Sequence, residues 1–299
     1  MSWAAHQFEY YAVQGHLPAR WRGKISFLAI VAGDLTCDFV GKLWSYGVDV
    51  GGRHLGPEDP EVWHRGWPGL GFSHSLLWGF LLAGLVYVCS RSRPWTLGIL
   101  IGVTIHVVTD IGDSIGTMLL FPFSTEHFTI GAWSYGVTPG GRNLDAGAYY
   151  SSLGFVTDVL WLLLALTNWR CLTTAYWRRE IVPADPGAWR WLGRWMPERA
   201  LVTLYRSWFI YGVCRLVAWT FWAHVIEHHE WDLSWGGPAW LPKLEMDHPA
   251  PWVAAVVALL CLAFVALVVD LLLRLPERRW RRPEAPPARV ATGRDRPDD

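Results

Sequence analysis

Long apolar runs, separated by short polar, tryptophan-rich or arginine-rich segments, dominate the pattern along the chain. Six runs of roughly 17 to 27 residues are long enough for helices that cross about 30 Å of hydrocarbon, at a rise of about 1.5 Å per residue. They cover residues 26–45, 69–90, 95–121, 153–169, 201–226 and 252–273. The pattern predicts an all-α protein, a polytopic membrane helical bundle of about six transmembrane helices.

The same pattern divides the chain into five parts. The start has no signal-peptide pattern, and the end is rich in proline and charge, which is typical of disorder. We expect a cytoplasmic leader (1–25), a membrane region that holds the candidate site in two pseudo-repeats (26–170), a cytoplasmic basic loop (171–200), C-terminal membrane helices (201–275) and a disordered tail (276–299).

Composition and charge support the membrane interpretation. Hydrophobic residues make up 52% of the chain and charged residues 17%, and many of the 22 tryptophans lie near the ends of predicted spans. Arginines concentrate in alternate loops, so the positive-inside rule predicts that both termini are cytoplasmic and that the opposite loops face outward. We therefore expect an integral protein of the cytoplasmic (inner) membrane. The net charge is zero, which gives no electrostatic reason to expect a nucleic-acid partner.

An internal repeat follows the first and third predicted spans. The strings WSYGVDVGGRHL (44–55) and WSYGVTPGGRNL (133–144) are identical at nine of twelve positions. Each Gly-Gly pair predicts a turn whose backbone amides, with Arg53 or Arg142, could bind an anion such as phosphate. The alternative is that the glycines only form turns and the arginines contact lipid headgroups.

Acidic side chains interrupt two of the predicted spans. His106, Asp110 and Asp113 have i, i+4 and i+7 spacing, and Asp34 and Asp38 have i, i+4 spacing, so each set shares a helical face. A charged carboxylate costs about 2.5 to 3.5 kcal/mol at the centre of a membrane helix. The stretch around Asp110 contains no lysine or arginine to pair with it, so these acids need protonation, water or a bound cation.

Two further histidines, His64 and His74, lie at the predicted outer end of the second span. Imidazole and carboxylate ligands together suit Zn²⁺, with Mn²⁺ or another transition metal as alternatives. The charge of a divalent metal ion would stabilise the buried carboxylates. We therefore predict a metal site near the outer face, with Asp34, His74, His106 and Asp110 as ligands.

These strings resemble a known family. His64-Arg65-Gly66 followed by His74-Ser75, the pattern His106-x3-Asp110, and GTMLLFPFS ending at Ser124 are similar to the YdjM-like inner-membrane family, for which metal-dependent hydrolysis is predicted. The resemblance covers residues 1 to about 125. The chain departs from the family pattern where the acid pair reads GDLTCD (33–38) and where Ile105 replaces a glycine. The resemblance implies metal ligands at His6, Asp34, His64, His74, His106 and Asp110.

The expected function is hydrolysis of a lipid-like ester or phosphoester by metal-activated water, with a membrane lipid or a lipid-linked molecule as substrate. Asp38 or Asp113 is expected to act as general base or to orient a ligating histidine. The expected ligands of an anionic headgroup are Arg53, Arg65 and Arg142. The sequence does not indicate an oligomeric state.

Two alternatives remain open. The acid-bearing spans also fit a transporter for a metal ion or protons. A third interpretation is a membrane zinc protease, because His224, Glu227 and His228 match an inverted zinc-protease spacing in the string HVIEHHE. Ligands that converge at one depth would favour the hydrolase, whereas acids spread across the membrane would favour transport.

Overall fold

Helices form most of the described structure. The computed structural model describes residues 4–45, 47–56, 64–65, 71–134 and 146–236. The helices are α1 (Ala5–His16), α2 (Phe27–Ser45), α3 (Leu76–Ser90), α4 (Arg93–Asp110), α5 (Ala146–Tyr150), α6 (Leu153–Thr167), α7 (Thr174–Tyr176), α8 (Val182–Ala184), α9 (Pro186–Leu192) and α10 (Glu198–Phe221). Short 3₁₀ turns cover Gly71–His74 and Trp169–Leu172, and π-helical turns cover Trp177–Ile181 and Trp222–Ile226.

One small hairpin follows α2. Its strands, β1 (Val48–Val50) and β2 (Arg53–Leu55), pair in antiparallel register, with Val50 opposite Arg53. The predicted Gly-Gly turn is present, and both glycines have positive φ angles of 58° and 78°. The equivalent glycines of the second repeat, at positions 140 and 141, lie outside the described residues.

The third predicted span is shorter than its apolar run. Helix α4 ends at Asp110, although the pattern predicted a span that continues to residue 121. Gly116 then has a φ of 68°, and the Asp113 carboxylate accepts hydrogen bonds from the backbone amides of Ile115 and Gly116. These two features stabilise a turn in place of a helix, since carboxylates compete for nearby amides.

Among the described residues, one helical segment is long and apolar enough to cross a membrane by itself. It is the 29-residue stretch Glu198–Ile226, whereas α3 and α6 are apolar but shorter, at 15 residues each. Large apolar side chains are nevertheless exposed along all three segments, among them Phe80, Val88, Leu160, Leu163, Ile210, Val217 and Phe221. Such a surface fits contact with lipid. The predicted span 252–273 lies outside the described residues, and six spans remain a prediction.

The predicted leader contains a buried helix. Every described side chain of α1 except those of Val13 and His16 is buried, and α1 packs against α2, α6 and α10. The structure therefore differs from the expectation that residues 1–25 lie outside the bundle. The apolar pattern missed α1 because its polar residues face an internal cluster of charges rather than solvent.

Glycines bring α2 and α4 into close contact. A Cβ atom added at Gly102 would overlap the carbonyl oxygen of Ile30 and lie 2.8 Å from the backbone nitrogen of Asp34. Gly33 makes the reciprocal approach to the backbone of Ile99. Small residues at helix crossings allow backbones to approach closely. This crossing places the acidic face of α2 beside His106.

Candidate metal centre

Asp34 connects α1, α2 and α4. Its Oδ1 atom lies 3.0 Å from Nδ1 of His106 and 3.5 Å from Nδ1 of His6, and its Oδ2 atom accepts a 2.6 Å hydrogen bond from the Tyr10 hydroxyl. The rings of His6 and His106 stack with centroids 4.1 Å apart. Ligand atoms of His6, Asp34 and His106 all lie within 4.8 Å of one another, so these residues could hold a metal ion.

A second group forms one helical turn further along α2. Oδ1 of Asp38 lies 2.9 Å from Nε2 of His64 and 3.6 Å from Nε2 of His74. Ligand atoms of these three residues also lie within 4.8 Å of one another. Gly41 makes room for this arrangement, because a Cβ atom there would lie 2.6 Å from Cδ2 of His64.

Asp110, the last residue of α4, lies between the two groups. Its Oδ1 atom is 3.4 Å from Nε2 of His6, and its Oδ2 atom is 3.3 Å from Nε2 of His106 and 3.6 Å from Nε2 of His74. His74, His106 and Asp110 form a third set with the spacing of metal ligands. The six side chains predicted as metal ligands therefore meet in one cluster.

Arg65 contacts the acids directly. Its Nη2 atom lies 2.6 Å from Oδ2 of Asp110 and 3.3 Å from Oδ2 of Asp113, and its Nη1 atom donates to the carbonyl oxygen of Gly116. Lys42 likewise pairs with Asp38. The premise that the acids have no basic partner is therefore wrong. The local sequence could not reveal Arg65, because it lies far from Asp110 along the chain.

The two predicted bases have different surroundings. Asp113 is fully buried and bonded to backbone amides and to Arg65, which fits a role in shaping the turn after α4. The side chain of Asp38 keeps 21% of its surface exposed, whereas that of Asp34 keeps 3%. Asp38 is therefore the better placed of the two to exchange a proton with water.

Burial and unsatisfied nitrogens test whether a cation fits. His6, His74 and His106 are at most 5% exposed, and within the described part of the chain their Nε2 atoms make no hydrogen bond of good geometry, although each lies 3.3 to 3.6 Å from an oxygen of Asp110. Buried polar atoms normally make such a bond, and a metal ion between these nitrogens and the carboxylate would satisfy them. Imidazole nitrogens beside a carboxylate suit Zn²⁺ and similar ions, so the residues fit a divalent cation.

The charge balance points the same way. Within the described residues, the cluster contains the five carboxylates of Glu9, Asp34, Asp38, Asp110 and Asp113 and the two cationic side chains of Arg65 and Lys42. With neutral histidines the cluster lacks three positive charges. A buried deficit of this size requires protons or metal ions.

His64 has the protonation state that metal binding requires. Burial lowers the pKa of His64 to about 4, and the Asp38 carboxylate, which raises that pKa, does not offset the effect. The imidazole is therefore neutral at pH 7, and neutral imidazole is the form that binds metals.

Sequence reasoning missed three polar residues that support the cluster. Oε2 of Glu9 lies 3.3 Å from Nδ1 of His6, and the Tyr10 hydroxyl bonds to Asp34. Asp158 of α6 accepts hydrogen bonds from the backbone amides of Ala4 and Ala5 and from two tyrosine hydroxyls. The i, i+3 spacing of His6 and Glu9 was the available signal for α1, and a lone acid in an apolar run was the signal for Asp158.

The predicted headgroup ligands are not brought together by the described residues. Arg53 lies on the exposed hairpin, whereas Arg65 is fully buried in the cluster. Arg142 lies outside the described residues. Lys42, which is 31% exposed, pairs with Asp38 on the exposed side of the cluster.

The protease spacing does not form the expected helical face. The π-helical turn ends at Ile226, and His228 has a φ of 56°. His224 bonds to the carbonyl oxygen of His229, while Glu227 pairs with the His229 ring. These residues lack the shared face that the motif requires.

Comparisons with known proteins place these observations in a family context. The model of the YdjM inner membrane protein family matches residues 17–182, more than half of the 299-residue chain. The match includes α2 to α7 and the site residues that they and the intervening loops supply, while His6 and Glu9 precede it. Searches of curated proteins and of solved structures found no match.

Proposed function

The chain belongs to the YdjM inner membrane protein family, and we propose that it is a membrane-embedded metal-dependent hydrolase. Its substrate in this proposal is an ester or phosphoester of a membrane lipid or a lipid-linked molecule. The observation that carries the proposal is the meeting of three buried Nε2 atoms, from His6, His74 and His106, around the Asp110 carboxylate.

The metal ligands in this proposal are His6, Asp34, His64, His74, His106 and Asp110. Nitrogen and oxygen donors without a thiolate favour Zn²⁺, with Mn²⁺ as an alternative. When bound, such an ion acts as a Lewis acid and lowers the pKa of water toward about 7.

The remaining residues of the cluster transfer a proton, attract the substrate or orient the metal ligands. Asp38 accepts the proton of the attacking water, because its carboxylate is more exposed than those of Asp34 and Asp110. Lys42, beside it, attracts the anionic part of the substrate. Tyr10 and Glu9 orient Asp34 and His6, and Arg65 holds Asp110 and Asp113 in place. Arg53 and Arg142 remain candidates for headgroup binding.

Convergence supports hydrolysis over transport. α2 and α4 run parallel, since Ser26 bonds to Pro94 at one end and Asp34 bonds to His106 further along. Asp34, Asp38, His106 and Asp110 therefore meet in one cluster and are not spread along the helices. Among the described residues these groups form one cluster and not a row of acids between the two faces, as a transport path would need.

Metal analysis of detergent-purified protein tests the centre. We expect wild-type protein to retain a divalent metal after dialysis, and His106→Ala and Asp110→Asn to lose most of it while keeping their helical circular dichroism. His54→Ala and Asp49→Ala are matched controls, because this His–Asp pair is 2.9 Å apart on the surface. Equal metal contents in wild type and both cluster variants would refute the ligand assignment.

A hydrolysis panel tests the reaction. Metal-loaded protein is mixed with vesicles that contain carboxylic ester, phosphomonoester or phosphodiester lipids, with and without chelator. We expect release of one product class that stops with chelator and resumes when metal is restored. Retained metal with no hydrolysis of any class would overturn the proposed reaction.

A further inference from the structure

We propose that the cluster binds two divalent cations, one at each of two separate ligand sets that share the Asp110 carboxylate. The inference rests on the proposed function, since it specifies the metal centre of that same site. The first set is His6, Asp34 and His106, and the second is His64, His74 and Asp38, which in this proposal binds a metal ion in addition to accepting the proton. No residue belongs to both three-residue sets, and Asp110 lies between them as the shared carboxylate.

Each set is complete by the standards of metal sites in enzymes. Each contains two imidazoles and one carboxylate whose ligand atoms lie within 4.8 Å of one another. Catalytic zinc sites commonly use three protein ligands of these types and leave a further position open. A single ion could not use all six side chains and also keep a position for water or substrate.

Asp110 is placed to bridge the sets. Oδ1 lies 3.4 Å from Nε2 of His6 in the first set, while Oδ2 lies 3.6 Å from Nε2 of His74 in the second. The sets also adjoin directly, because Nε2 of His106 is 3.9 Å from Oδ1 of Asp38. Paired metal ions in enzymes are about 3.5 to 4 Å apart, so two ions of such a pair need ligand sets that adjoin in this way.

The charge balance favours two ions over one. With neutral histidines, the cluster lacks three positive charges among the described residues. One divalent ion would leave a net negative site that repels a phosphoester. Two ions give a net charge of plus one, which attracts an anionic substrate.

Metal stoichiometry tests the inference on the full chain in detergent. Saturation with Mn²⁺ and removal of excess metal should give two ions per chain in wild type. The double variants His6→Ala/His106→Ala and His64→Ala/His74→Ala should each retain one. The surface variant His54→Ala should retain two. One ion per chain in saturated wild type would overturn the inference, as would loss of both ions from each double variant that remains folded.

Electron paramagnetic resonance gives a second readout that needs no variant. Two adjacent Mn²⁺ ions should produce an exchange-coupled spectrum in wild type, whereas one ion gives the six-line spectrum of isolated Mn²⁺. An isolated spectrum at saturation would overturn the inference. A coupled pair of Mn²⁺ ions without hydrolysis of any lipid would support two-ion binding and refute the proposed function. Hydrolysis by a protein that binds one ion would support the proposed function and refute two-ion binding.

Discussion

The Nη2 atom of Arg65 lies 2.6 Å from Oδ2 of Asp110, and at most 1% of either side chain is exposed. This pair explains how the final residue of an apolar helix can be an acid. The guanidinium also reaches Asp113, so one cation compensates two carboxylates that the chain separates by a turn. Arg65 therefore supports the cluster from within, and it is poorly placed to bind a lipid headgroup.

Replacement of Arg65 should destabilise the protein. In Arg65→Ala, Asp110 and Asp113 lose their shared cation, and breaking a buried ion pair costs about 3 to 5 kcal/mol. We expect a clear drop in the thermal unfolding midpoint in detergent, whereas exposed Arg53→Ala should change it little. A stable Arg65→Ala protein with a raised KM would instead indicate a direct role in substrate binding.

The crossing of α2 and α4 should not tolerate a methyl group. Gly102→Ala would push against the carbonyl oxygen of Ile30, and such overpacking costs about 1 to 3 kcal/mol. It should also weaken metal binding, because Asp34 and His106 move apart. Gly84→Ala is the control, since a Cβ atom there meets nothing within 4 Å. It should leave metal affinity unchanged and favour the helix by up to about 1 kcal/mol.

Asp158 should affect the metal centre from a distance. Asp158→Ala removes the acceptor for the amides of Ala4 and Ala5 at the start of α1, which carries His6. We expect lower stability and a metal affinity reduced by roughly 10-fold or more, as for other groups that orient ligands. Asp158→Asn, which keeps one acceptor oxygen, should lie between the alanine variant and wild type. Unchanged metal affinity in a destabilised Asp158→Ala protein would restrict Asp158 to a structural role.

Tyr10→Phe isolates the hydrogen bond to Asp34. The change keeps the ring and removes the 2.6 Å contact, so we expect little change in folding and a metal affinity weaker by about 10- to 100-fold. Competition with a fluorescent chelator measures this loss. Tyr211→Phe is a matched control, because its ring is 50% exposed and away from the cluster. Equal affinities in both variants would show that Tyr10 does not tune Asp34.

Local periodicity predicted much of the site. The i, i+4 pairs Asp34/Asp38 and His106/Asp110 each lie on a helical face that turns toward the cluster, as the spacing indicated. The order of the motifs indicated the YdjM family, which the family match confirms. These features depend on residues that are close together in the sequence, so the sequence pattern can predict them.

Long-range packing was beyond the pattern. The pairing of Arg65 with Asp110 and the burial of α1 depend on contacts between segments far apart in the chain. Helix α4 ends at Asp110 because the Asp113 carboxylate bonds to backbone amides in the turn that follows. The apolar character of the stretch does not reveal this competition. Hydropathy alone therefore predicted a third span that is longer than the helix, and it placed α1 outside the bundle although α1 is buried.

The position of α1 has a consequence for biosynthesis. Ala4 and the carboxylate that binds its amide are 154 positions apart. A ribosome makes α1 early, but α6 and α10, which enclose it, emerge much later. α1 can then take its buried position only after most of the polypeptide has been inserted, so the side chain of His6 is fixed in the cluster late in maturation.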